Sequence, residues 1–154
     1  MTAMEFGEFV ITAGFAAWLL LSAYNHVSDW RGTVAFVAAF MKMSSLDQEP
    51  AIPCPLKSRQ VNSTTIHGLA VTVITFVQAG LGVLFAFAAW RFVHGSDEAA
   101  RTLAAYAFAG LAALWFGFLI AGAWFACWIR QDALQRTHLV LLGLAMLGFM
   151  LVSR

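Results

Sequence analysis

Charge is scarce in this chain. Asp, Glu, Lys and Arg make up 11% of its 154 residues, against roughly 25% in a typical soluble domain. Too little polar surface remains for a purely soluble enzyme. The formal net charge is +1 and no Lys/Arg block occurs, which excludes the basic footprint of a nucleic-acid partner. Two cysteines make neither a disulfide framework nor a zinc site. The sequence contains no CxxCH, no HxxxH and no nucleotide-binding signature, so no catalytic residue and no metal site is assigned from motifs. The acidic start, Met1 to Glu5, lacks the basic region and cleavage site of a signal peptide, and the first helix is read as retained. All three prolines fall at 50, 53 and 55.

What is abundant is apolar surface: 61% of the residues are hydrophobic. Leu103 to Ile129 carries no charged residue over 27 positions. A helix of that length reaches roughly 40 Å, more than the ~30 Å hydrocarbon core of a bilayer. Three further apolar segments accompany it. The expected fold is all-α: an integral membrane four-helix bundle with one interfacial helix and a long proline-containing loop between the first and second spans. The spans are expected at about 6–26, 66–93, 97–130 and 133–152, within a single transmembrane domain covering 1–154. Glu8, near the start of the first span, is expected to reach the interface, where a carboxylate suits the helix dipole. Residues 30–43 repeat apolar positions at helical spacing but are too few to cross, which fits a surface or re-entrant helix. Residues 44–65 form the loop, and loops of that length serve as binding surfaces, lids or mobile segments.

This topology brings the end of the first span, the start of the second, the end of the third and the start of the fourth to one membrane face. That face receives Asn25, His26, Asp29, His67, Cys127, Asp132 and His138, with Cys54 in the loop above. Imidazoles from different helices at similar depth are suited to ligate haem or a metal, so His26, His67 and His138 are candidate cofactor residues. The bland alternative is interfacial histidines bonded to water, headgroups or backbone. Along the second span, Thr75, Gln78 and Gly82 fall within about 80° of His67 at 100° per residue. They form a polar intramembrane stripe that must face protein or water, and it motivates a small oligomeric transporter or channel. Ala105, Ala109, Ala113, Gly117 and Ala121 place a small residue at every fourth position of the third span. Such a stripe suits close helix packing, within the chain or against another subunit. Asn25, Asp29 and Trp30 form a loop-face motif, in which Asp29 is placed to cap the surface helix. Cys54 and Cys127 could pair only in an oxidising compartment.

Two runs carry a family likeness. Tyr24 to Ser45 presents Asn25, Asp29, Trp30, Phe36, Val37 and Met43. Trp115 to Trp128 presents Trp115, Phe116, Gly117, Phe118, Trp124, Phe125 and Trp128. Together they resemble a bacterial family of predicted small integral membrane proteins of unknown function, with four spans and about 150–160 residues. The resemblance covers nearly the whole chain. It implies the fold and a bacterial inner membrane, and no reaction. The chain departs from the family where members often carry acidic residues, having Gln78 and Ala123 there. Six basic residues on the loop face against three opposite favour a cytoplasmic loop face, whereas the family's basic N-terminal side points the other way. Orientation is therefore open. Of the functions considered, an accessory or structural subunit of a larger membrane complex, such as a respiratory one, ranks first. A haem- or metal-binding redox protein and an oligomeric transporter are the alternatives. The expected contacts are the lipid bilayer, other membrane subunits or a second copy.

Overall fold

The computed structural model describes residues 2–154. Five α-helices follow one another: α1 Ala3–Ser28, α2 Trp30–Met41, α3 Thr64–His94, α4 Asp97–Trp124 and α5 Asp132–Val152. Among the described residues no strand occurs. Four helices (α1, α3, α4 and α5, of 26, 31, 28 and 21 residues) are long and apolar enough to cross a membrane. The fold is that of an integral membrane helical bundle. Its outer surface shows what lies against it, with Phe76 73% exposed, Ile120 68% and Leu147 63%. Apolar side chains this large and this numerous on the outside belong against lipid.

Local chemistry sets the helix starts. Thr2 and Glu5 form a capping box on α1, each side chain bonding the other's backbone N–H. Ser63 caps α3 by accepting from the Ile66 N–H, and Ser96 caps α4 by accepting from the Ala99 N–H. Each satisfies a backbone donor that the helix itself leaves unpaired.

α3 is the central element, packing on α1 and α4, and α5 packs on α4. Association in lipid depends on close fit rather than on escape from water. The core is accordingly knitted by aromatic rings and by residues too small to hold helices apart. Phe15, Phe85 and Phe108 form a cluster with ring centroids 4.8–5.6 Å apart. Gly148 lies on the Phe108 ring, where an added Cβ would sit 2.2 Å from Cε1. Gly82 brings α3 onto α1, its virtual Cβ 2.9 Å from the Leu20 Cγ.

Two features depart from the expectations. The third span does not run to Arg130. α4 stops at Trp124, Ala126 takes a left-handed conformation with φ 51°, and a 3-10 turn follows at Cys127–Ile129. Ala126 is buried there with Met43 and Leu46, and Ile52, Phe125 and Ile129 pack around them. This small second core compensates for an alanine in a conformation that disfavours any Cβ. Glu8, expected to reach the interface, is instead 1% exposed. Its carboxylate accepts from the Arg101 Nε–H of α4 at 3.0 Å. A carboxylate inside the bundle needs a partner, because an uncompensated charge there costs several kcal/mol.

Candidate functional site

The loop between α2 and α3 is a fixed cap on one end of the bundle. Met43 ends the α2 segment in a left-handed turn, φ 55°, which sends Leu46 into the second core. The Val61 N–H donates to the Met41 carbonyl at 3.0 Å, returning the chain to α2. Arg130 donates to the carbonyls of Gln48 and Pro50. Lys57 pairs with Asp47, and the Arg59 guanidinium lies 5.0 Å from the Trp124 ring centroid. Cys54 and Cys127 are separate free thiols. Cys127 is buried, and burial, with Asp132 adding to it, pushes its thiol above the usual range.

Below this cap a cavity of about 400 Å³ opens between α1, α2, α3, α4 and α5. His26 reaches it from α1, Gln78 from α3, Trp115 from α4, and Thr137 and His138 from α5. Phe36 and Phe40 of α2 and Phe118 and Phe125 complete an aromatic wall. No Asp, Glu, Lys or Arg lines it. The His138 ring stacks on Trp115 at 5.8 Å and lies 4.9 Å from Phe118. Trp115 is 4% exposed, and its buried indole N–H finds no acceptor among the described residues. Size, apolar lining and a few convergent polar groups are the usual marks of a small-molecule site.

The three candidate histidines are not brought together. His26 and His138 share the cavity, but His67 is 1% exposed and its Nε2 bonds the Val61 carbonyl at 2.9 Å. His67 fixes the end of the loop onto α3. Among the described residues no three His, Cys, Asp or Glu side chains form a group that could hold a metal ion. Of the three histidines, His26 and His138 line the cavity, while the His67 imidazole is committed to the backbone.

The other singled-out residues have definite places. Thr75 meets His26, Oγ1 to Nδ1 at 3.2 Å, and Gln78 Oε1 accepts from the Ser22 hydroxyl at 3.4 Å. With Gly82 on Leu20, the stripe on α3 lies along α1. Asp29 closes α1 and caps α2, its carboxylate accepting from the Gly32 N–H at 3.1 Å. Its own N–H donates to the Asn25 carbonyl, and Trp30 begins α2. On α4, Ala109, Ala113 and Gly117 are exposed, while Ala105 and Ala121 are half-buried. The inward face of α4 is a different set, including Ala100, Ala104, Phe108 and Leu111. The sequence singles out Trp115 and Phe36 only through the family likeness, and gives no signal that Phe40 or Thr137 lines a site.

A family model described as "Predicted small integral membrane protein (DUF2165)" matches residues 4–154. The chain belongs to this family. No curated protein matches it, and no solved structure does. Membership in DUF2165 agrees with the four apolar helices and assigns no reaction.

Proposed function

We propose that this DUF2165 protein is a non-catalytic accessory or structural subunit of a larger assembly in a bacterial inner membrane. The observation that supports the reading is the outward face of α4. Ala109, Ala113 and Gly117 are exposed one turn apart, and a Cβ added at Gly117 would meet nothing within 4 Å. Small residues lower the barrier to close backbone approach between helices in lipid. At Gly117 no described side chain lies close enough to use that property. Transport draws less support, because Thr75 and Gln78 direct their hydrogen bonds to α1.

The test is to tag the protein on its own chromosome, extract it in a mild detergent and identify what co-purifies. A stoichiometric set of membrane subunits is expected, lost when Ala113→Leu and Gly117→Leu are combined. A protein that emerges alone, or companions indifferent to both substitutions, overturns the reading.

A further inference from the structure

We propose that the cavity beneath the loop binds a lipid-soluble quinone or its quinol, with the ring among the aromatic side chains of α4 and α5. The ligand's class follows from what the cavity offers. No charged side chain lines it, so a phosphate or carboxylate head would leave its charge uncompensated in a medium of low dielectric. The stacked Trp115–His138 pair and the Phe40–Phe125 pair at 5.5 Å present flat, polarisable faces. Such faces suit a planar ring better than a flexible chain.

The polar groups fit the same ligand. Among the described residues His26 engages only Thr75, through Nδ1, and its Nε2 meets no partner there. His138 makes ring contacts but no hydrogen bond to another described residue. A neutral imidazole has one donor and one acceptor nitrogen. Two imidazoles from opposite helices can therefore serve either the carbonyl oxygens of a quinone or the hydroxyls of a quinol. The volume of about 400 Å³ lies within the ~300–1,000 Å³ usual for small-ligand pockets. Phe36 lines the cavity and is 59% exposed, marking an open edge through which a prenyl tail passes into lipid.

The inference is independent of the subunit role, since a free-standing protein would retain the cavity. It is tested with the full chain in nanodiscs of synthetic phosphatidylcholine, titrated with decylubiquinone against empty discs. A saturable component of one ligand per chain is expected. Ala121→Met places a longer side chain in the cavity and should abolish that component. His138→Leu should weaken it about 3- to 10-fold, the worth of one neutral hydrogen bond, and His94→Leu, outside the cavity, should leave it unchanged. Helical circular dichroism checks that each variant is folded, and if one is not, the other still decides. No saturable binding to the wild type would overturn the proposal. So would binding indifferent to Ala121→Met, equal displacement by dodecanol (a lipid chain as occupant), or a Soret band in the purified protein (haem as occupant).

Discussion

Removing Arg101 should damage this protein more than removing the charge it neutralises. Glu8 is 1% exposed, and its partner Arg101 is 28% exposed, with 3.0 Å between Nε and Oε2. Thr12, one turn away, gives its hydroxyl to the Glu8 backbone carbonyl, so it does not serve the carboxylate. Arg101→Met strands a carboxylate inside the bundle, and breaking a buried pair in this way costs about 3–5 kcal/mol. Glu8→Gln keeps an acceptor in place, and the longer Arg101 side chain can turn outward to the interface. That change should cost about 1 kcal/mol, the worth of one net hydrogen bond. Glu8→Leu with Arg101→Met removes both charges and replaces them with apolar groups of similar volume. It should lie closer to wild type than Arg101→Met alone. Reversible unfolding in mixed micelles, followed by circular dichroism as the denaturing detergent fraction rises, measures all four proteins. If Arg101→Met costs no more than Glu8→Gln, or if the double variant is no more stable than Arg101→Met alone, the pair is not buried and coupled as described.

Other consequences are equally direct. Gly148→Val forces a side chain into the Phe108 ring and should lower stability by at least about 1–3 kcal/mol, read in the same unfolding assay. Ala126→Val puts a β-branched residue at φ 51° and should release the loop, seen as faster protease cleavage between residues 44 and 63. Asp29→Ala should cost about 0.5–2 kcal/mol by uncapping α2, with a small loss of helical signal. Maleimide should label half-buried Cys54 in the folded protein and reach buried Cys127 only after unfolding. Because the Cys127 thiol is raised above its ordinary value of 9.0, chiefly by burial, the unfolded chain ionises first. Stability from this group is intact below that pH and declines above it, which unfolding measurements on Cys127→Ala against wild type at rising pH would detect.

The four apolar runs made the bundle legible, because span length and hydropathy are local properties of the chain. The Asp29 cap of α2 was legible for the same reason. Interactions between distant residues were not. Nothing in the first span tells that Glu8 meets a residue 93 positions later, and a carboxylate near a helix start has a satisfactory local explanation. His67 looked like a ligand because the topology brings it to one membrane face with His26 and His138, yet its Nε2 is taken by a carbonyl at the end of the loop. The small-residue stripe on α4 was visible as a pattern. Its direction was not, since α4 carries small residues on its inward face as well. The end of α4 was hidden by composition: Ala126 follows an apolar run of good helix formers, and intrinsic preference favours continuing.

That hidden break accounts for the cavity. A helix continued to Arg130 would keep presenting side chains at 100° intervals. The left-handed Ala126 instead turns the chain directly after Phe125, which lines the cavity and packs edge-on against Phe40 of α2. Met43, the other left-handed residue, ends the α2 segment in the same small core as Ala126. Two backbone strains of about 1–2 kcal/mol each are thus held by one cluster of buried side chains. The cluster anchors α2 beside α3 at one end of the bundle, and the space left between α2 and the four long helices is the cavity. The volume of that space depends on the loop clamp, so releasing the clamp at Ala126 should weaken ligand binding without touching a lining residue. Decylubiquinone titration of Ala126→Val against Ala121→Met separates the two routes: both lose the saturable component, but only Ala126→Val also gains protease sensitivity in the loop. Unaltered binding in a protease-sensitive Ala126→Val protein would break the link between clamp and cavity.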